Sequence, residues 1–458
     1  MKSLFIFRRD FRLIDNNGLI EACKNSTKVL CAFIFTPEQV KNNDYFSDAS
    51  FQFLLESLQD LNEDLQKRLG SNLYLIFDTN IKALKQIKKD YDFKSVYFNE
   101  DYTPYARKRD EEIEDWCIKE EIECHKIHDY LLAPMGTFLK KDDTYYGVYG
   151  AFRKITKGYK IDKPVNYKFD KKKFMKIKSP KKLEDMDSYY VKNENLLIRG
   201  GRSRALKVLL DVGKFSTYDS TRDILDYNTT HLSAYIKYGT VSIREVYHKF
   251  LEKYNEDFGI IKQLFWREFY FYIVYYNPKV LDEGKSLKEK YDKIKWKNNP
   301  KFIEAWKEGR TGYPAVDAAM RQLNTEGYQH NRGRLITSAI LIKILHCDWR
   351  IGEKYFAQKL VDYDPAVNNG NWQWGSGSGA DSQPYLRIFN PWTQSKKFDL
   401  NCVYIKKWIP ELKSVPNKEI HEWDLHYHKY KKIDYPGPIN DYKEARKETL
   451  EMYKKGIY

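Results

Sequence analysis

The segment Asn368-Asn-Gly-Asn-Trp-Gln-Trp-Gly-Ser-Gly-Ser-Gly-Ala-Asp381 concentrates amides, glycines and two indoles as no other stretch of the chain does. Its Gly375-x-Gly377-x-x-Ala380 spacing formally matches a dinucleotide fingerprint, yet no apolar strand run leads into it and it opens no strand–helix unit. A loop whose backbone passes close to a ligand or to another backbone fits better, with a plain turn as the structural alternative. Just upstream, Asp362-x-Asp364 could hold a divalent cation, although no neighbouring side chains complete an octahedral set. The same pair could accept hydrogen bonds from a sugar, an adenine amine or a flavin imide, or simply order a loop. His330-Asn-Arg-Gly-Arg334 puts two guanidiniums and an amide on about one helical turn, which suits bidentate phosphate contacts and a base edge, or else a solvated helix face. Trp266-Arg-Glu-Phe269 couples an aromatic face to an ion pair.

No hydrolytic constellation accompanies these groups. Gly-x-Ser-x-Gly, a P-loop and His-Glu-x-x-His are all missing, and His421, His426 and His428 read as surface residues near a charged terminus. Side-chain acid–base chemistry is therefore not advertised, which favours a cofactor that performs the hard step. Nine of the ten tryptophans fall between Trp266 and Trp423, with only Trp116 before them. Any one of them can be core, but nine together suggest an aromatic-lined pocket for planar rings, either nucleobases or a cofactor.

The elements that must position these groups belong to two regions. Leu4–Phe7, Val29–Phe35, Leu73–Phe77 and Val96–Phe98 are short apolar runs suited to a sheet buried on both faces. Phe51, Leu54, Leu55, Leu58, Leu61, Leu65 and Leu69 recur at helical steps, and further helices are expected over 80–91 and 105–120. This alternation predicts an α/β, Rossmann-like domain with a parallel sheet over residues 1–132. Residues 133–195, crowded with Lys171, Lys172, Lys173, Lys176, Lys178, Lys181 and Lys182, read as a long connector wrapped over the surface. A larger all-α domain is expected over 196–458.

With 458 residues, 42% hydrophobic and 31% charged, the chain suits two or three folded domains rather than a disordered polymer. Lys and Arg exceed Asp and Glu by 79 to 64, a formal charge of +15 that points to a polyanionic partner, although codon bias could also supply surplus lysines. No run nears the ~18 apolar residues of a membrane span, and the apolar stretch before Arg8 is shorter than the ~7 residues of a signal-peptide core. Six cysteines without a Cys-x-x-Cys argue against a disulfide scaffold. An intracellular protein, cytoplasmic or nuclear and monomeric, is the expectation, with no metal and no membrane partner.

Taken together, these segments resemble the photolyase/cryptochrome flavoprotein family, and most nearly the class I cyclobutane pyrimidine dimer photolyases. The resemblance runs from Phe7-Arg-Arg-Asp-Phe-Arg-Leu13 through Phe265–Tyr270, Gly312–Leu323, His330-Asn-Arg332, Asp348-Trp-Arg350 and Asn368–Trp374 to Arg387-Ile-Phe-Asn-Pro391. It implies an α/β antenna domain, a connector and a helical FAD domain, and a lyase in which photoexcited reduced FAD passes an electron to a pyrimidine dimer flipped out of DNA. By the same resemblance Tyr218, Thr229, Thr230, Leu232, Ser233, Arg267, Arg334, Asp362 and Asp364 would hold FAD, with Arg267 and Asp362 paired beside the ring and Asn368 facing flavin N5. Trp372, Trp349 and Trp296 match the chain of tryptophans that photoreduces the flavin. Trp266 and Trp374 would stack on the lesion, with Asn331 and Arg332 at its edge, and Arg222 and Arg387 would contact the DNA backbone.

Four departures mark this chain. Gln263 stands for a usual Glu that hydrogen-bonds the dimer, Leu335 for a Met against the lesion, Tyr328 for a Trp, and His231 for an Arg. Gln263 is also found in (6-4) photolyases, but the remaining motifs follow the cyclobutane pattern. Asn99–Asp110 resembles the family's antenna-binding segment, with Asp101 and Arg109 as contacts for an 8-hydroxy-5-deazaflavin; methenyltetrahydrofolate or an empty site are alternatives. A cryptochrome-type blue-light receptor is the competing function; such sensors often carry long C-terminal extensions, whereas this chain runs about 50 residues past Trp408.

Overall fold

The computed structural model describes residues 1–457 except Gln383 and Leu386. Five strands, β1 (Lys2–Ile6), β2 (Lys28–Phe35), β3 (Tyr74–Phe77), β4 (Ser95–Asn99) and β5 (Glu123–Ile127), form a parallel sheet in the order β3-β2-β1-β4-β5. The first four coincide with the apolar runs because helices cover both faces of the sheet. The fifth, Glu-Cys-His-Lys-Ile, lies at an edge, where charged residues are tolerated and blunt further pairing; its polarity hides it from a hydrophobicity reading.

The crossover helices are α1 (Asn17–Asn25), α2 (Asp48–Leu69), α3 (Asn80–Tyr91) and α4 (Pro104–Lys119). Helix α2 starts at Ser47, whose side chain accepts from the Ser50 amide, and ends at Gly70 with φ +66°, a left-handed cap that glycine adopts without a steric cost. Helix α4 starts with Pro104 after Thr103, whose side chain caps the Ala106 amide. The 133–195 stretch contains α5 (Tyr149–Thr156) and otherwise mostly irregular chain. It is tied down by backbone and hydroxyl bonds such as Met175 N to Val29 O (3.1 Å) and Leu75 N to Ser179 Oγ (2.8 Å).

Compactness divides the chain at places other than the expected 132/133 and 195/196 boundaries. One unit comprises 1–193, 198–216 and 230–278; the other comprises 194–197, 217–229 and 279–458. Long-range charge pairing explains why α6 (Ile243–Leu251) and α7 (Gly259–Tyr276) fall with the sheet. Arg244 bonds Asp15 (2.9 Å) and Asp129 (2.8 Å), Arg12 bonds Asp129 (2.6 Å), and all four side chains are at most 3% exposed. Breaking such a network would strand a buried charge, so it locks these segments together. Glu268, fully buried on α7, accepts from the Leu132 amide (3.0 Å), and the Tyr272 hydroxyl accepts from the Phe138 amide (2.9 Å).

The second unit is helical. Helices α8 (Pro314–Glu326), α9 (Asn331–Lys343), α10 (Trp349–Lys359), α11 (Pro365–Ser376) and α12 (Tyr442–Ile457) surround an apolar cluster that includes Trp306, Tyr313, Met320, Trp349, Phe356 and Trp372. One glycine is dictated by close approach: a Cβ on Gly352 would lie 2.1 Å from the Trp372 ring, so α10 and α11 can pack this tightly only without one.

Candidate active site

In the first unit, α7 sets Gln263, Trp266 and Arg267 at the i, i+3 and i+4 positions of one face, while Leu264, Phe265, Phe269 and Phe271 are buried. Gln263 is exposed, and Trp266 and Arg267 are half-buried. The Arg267 guanidinium lies over the rings of Tyr130 (4.1 Å) and Phe271 (4.9 Å), donates to the Tyr130 carbonyl (3.1 Å) and approaches Glu268 (3.6 Å). Its Nη2 is buried and has no hydrogen-bond partner. Burial pushes the Glu268 carboxyl up to about 7, against the opposing pull of Arg267 and the Leu132 and Ala133 amides. Trp266 stacks parallel on Tyr149, a residue no motif had flagged.

The Thr230–Ser233 stretch leads into the short helix Ser233–Lys237, with His231 at φ +51° and the Thr230 hydroxyl accepting from the Leu232 amide. Towards the antenna segment, Asp101 pairs with Arg9 (3.2 Å) and accepts from the Tyr102 and Thr103 amides, while Arg109 and Arg8 share Asp110 at 2.8 and 2.7 Å. Burial raises the Asp101 carboxyl, but Arg9 and Arg109 outweigh it and hold the group below its ordinary value. Asp101 and Arg109 are thus both held in an internal charge network.

In the second unit, Asp364 caps α11, accepting from the amides of Ala366 (3.0 Å) and Val367 (3.3 Å), with Pro365 at the first helical position. One turn on, the Asn368 side-chain amide donates to the carbonyl and the carboxylate of Glu353, both at 3.0 Å. Asp362 is held by the Arg334 guanidinium at 3.0 and 3.1 Å, and Arg334 also bonds the Gln329 carbonyl (2.8 Å). Tyr328 is buried with its hydroxyl 3.4 Å from Thr229. Tyr218 and Arg222 lie half-buried in the 217–229 segment, Leu335 and Trp374 are half-buried, and Asn331 and Arg387 are exposed. Arg332 is engaged internally, pairing with Asp223 (2.8 Å) and lying over Phe398 (4.1 Å). The three expected relay tryptophans share one apolar cluster: Trp372 meets Phe356 edge-on (4.9 Å), Trp349 lies under the Arg350 guanidinium (4.7 Å), and the half-buried Trp296 abuts Tyr453 (5.9 Å).

Several expectations need correction. The Asn368–Asp381 stretch is not a loop: it is helical to Ser376, and only Gly377, at φ +90°, ends the helix. Gly375-x-Gly377-x-x-Ala380 therefore sits at a helix C-terminus, the end that repels phosphate. Close backbone approach holds at Gly379, where a Cβ would fall 2.7 Å from Gln373. His421 is buried, bonded to Ser395 (2.8 Å) and the Leu400 carbonyl (3.0 Å) and 3.3 Å from the Cys402 sulfur, so it is a packing residue; His426 is half-buried and His428 exposed.

Comparison with known proteins decides the family. The chain matches the model for DNA photolyase over residues 3–167 and that for the FAD binding domain of DNA photolyase over residues 260–455. It is 36% identical to the deoxyribodipyrimidine photo-lyase of Alkalihalophilus pseudofirmus, over 98% of this chain and 97% of that protein. The chain belongs to the DNA photolyase family. Among solved structures, the archaeal photolyase of Sulfolobus tokodaii is 38% identical with a TM-score of 0.88, covering 99% of this chain and 100% of that one; its structure holds two FAD molecules. A class III photolyase of Agrobacterium tumefaciens is 30% identical with a TM-score of 0.91, covering 99% and 97%. In the first unit, a buried guanidinium nitrogen on Arg267 without a hydrogen-bond partner is a donor that suits the polar edge of the flavin this family binds. No described helix is long and apolar enough to cross a membrane.

Proposed function

We propose that this member of the DNA photolyase family is a light-dependent deoxyribodipyrimidine photo-lyase that splits cyclobutane pyrimidine dimers in DNA. The observation that carries the reading is the gathering of Trp296, Trp349 and Trp372 in one cluster, with Trp372 on α11, the helix that carries Asn368 and is capped by Asp364. Reduced FAD, when bound, would supply the light-driven single-electron chemistry that cyclobutane splitting requires. The chain's own groups bind and orient. In the first unit Thr230, Leu232, Ser233 and Arg267 are offered to FAD; in the second, Tyr218, Thr229, Arg334, Asp362, Asp364 and Asn368.

Arg267, packed against the mutually perpendicular rings of Tyr130 and Phe271, keeps a buried N–H for an acceptor, and the clamp of Arg334 on Asp362 fixes a carboxylate. Glu353 orients the Asn368 amide so that its oxygen, not its nitrogen, is turned away from the carboxylate. Trp266 in the first unit and Trp374 in the second are the stacking surfaces for extruded bases, Gln263 supplies an uncharged hydrogen-bonding edge, and Arg222 and Arg387 meet phosphates. Leu335 offers apolar contact, and Asn331 a polar one. Arg332, already paired with Asp223, orders the 217–229 segment that carries Tyr218 and Arg222. A second chromophore near Asp101 and Arg109 is part of the same reading; the two FAD molecules of the Sulfolobus tokodaii relative add a flavin to the deazaflavin and folate candidates.

Photoreduced protein mixed with thymine-dimer oligonucleotide and exposed to near-UV or blue light should restore absorbance at 260 nm. Flavin-loaded, reduced protein that leaves the dimers intact would overturn this reading in favour of a photoreceptor or a (6-4) photolyase.

A further inference from the structure

We propose that Tyr149 is a positioning residue for lesion recognition: it covers one face of Trp266 and fixes the plane of the other. The proposal rests on the reading of Trp266 as a stacking surface for an extruded pyrimidine. The two rings lie 3.7 Å apart between centroids and 9° from parallel. The Tyr149 hydroxyl donates to the Lys262 carbonyl at 2.8 Å, which lies one helical turn before Trp266, so the tyrosine grips the very turn that carries the indole. Phe269 closes the edge of the pair, T-shaped to Trp266 (5.6 Å, 89°) and to Tyr149 (5.8 Å, 80°).

Tyr149 is not there to fill the core. It is half-buried, and its neighbours Val148 and Gly150 are exposed. Docking of α5 is accomplished further along, by the fully buried Phe152 against Phe269 (5.6 Å) and by Arg153, which bonds the Glu256 carbonyl (2.8 Å) and lies over Phe265 (4.5 Å). A half-exposed tryptophan on a helix has several rotamers open to it, and a base that stacks on it must bear the entropy of choosing one. A ring laid flat on one side removes that freedom in advance, while Tyr270, 5.7 Å away and tilted by 34°, also borders the indole.

The test compares Y149A, Y149L and Y149F in the flavin-loaded full chain, titrating one oligonucleotide with and without a single thymine dimer. Y149A and Y149L should lower the ratio of dimer to undamaged affinity by roughly fivefold, the scale of one aromatic pair, with undamaged affinity unmoved. Y149F, which keeps the ring and loses only the hydroxyl, should restore the ratio to within about twofold. A wild-type ratio in Y149L, which fills the space without a plane, overturns the proposal even if Y149A fails to fold, and so does an equal loss on both oligonucleotides. W266A separates the two readings. If W266A also keeps the ratio, the role of Trp266 falls; if W266A loses it while Y149A and Y149L retain it, only the role of Tyr149 falls.

Discussion

A single hydrogen-bonding choice makes Asn368 hard to replace. Its side-chain N–H groups satisfy both a carbonyl and a carboxylate of Glu353 in a buried setting, work that an isosteric carboxylate cannot do. N368D would remove both donors and set a second negative charge beside the first, so one of the two carboxyls must take up a proton for the fold to persist. Because the shared proton raises the pair's affinity for protons above that of the unfolded chain, the deficit should shrink as pH falls and grow as pH rises. Thermal unfolding of N368D against wild type is expected to show a loss of about 2 kcal/mol at pH 8 that narrows at pH 5.5; a gap independent of pH would place Glu353 elsewhere in the balance. The motif picks out Asn368 as a candidate but gives no sign of Glu353, since no local pattern ties residues 353 and 368 together. Tyr149 escaped notice for the same reason: its meaning comes from Trp266, more than a hundred residues away.

Elements were readable where one local rule governs them. Strands buried on both faces announce themselves as apolar runs, and the heptad-like leucines of α2 foretell a long helix with a glycine stop. Where tertiary packing overrides propensity the signal fails. Helix α11 is built from Asn, Gly, Ser and Trp, poor helix formers, and is held by its Asp364 cap and by packing of Trp372 on Gly352. Helix α7 poses the opposite problem, an apolar helix with a carboxyl at its buried centre. Glu268 is held at about 7 by burial, above its ordinary 4.5, so between those two values the folded chain carries a proton that the unfolded chain has lost. That linkage makes Glu268 cost stability as pH climbs from about 4.5 through about 7, by at most about 3 kcal/mol. E268Q keeps an acceptor for the Leu132 amide and discards the charge. Its melting temperature relative to wild type should therefore rise between pH 5 and pH 8, and a relative melting temperature that is flat or falls over that range would show Glu268 to be ionised and compensated in the fold.

At the scale of the whole molecule, the sequence announces an excess of fifteen positive charges but not where they act, and of the buried Arg12, Arg244, Asp15 and Asp129 network within the first unit only Arg12, in the Phe7–Leu13 segment, falls in a motif. The surplus charge has a consequence that can be separated from lesion chemistry. Contacts to phosphate release counterions and weaken steeply with salt, whereas stacking on Trp266 and Trp374 releases none. Dimer-containing and undamaged DNA share the same backbone charge. Plots of log affinity against log salt for the two should consequently be parallel, displaced by the stacking and hydrogen-bonding contribution alone. W266A should shrink the displacement and leave the slope, while R222A and R387A should each flatten both lines by roughly one unit of slope per lost phosphate contact. Fluorescence anisotropy at four or five salt concentrations suffices to read both quantities. Lines that converge at high salt would mean that the dimer is distinguished through charge rather than through its exposed rings, and the indoles of this chain would then have to be assigned to electron transfer and packing alone.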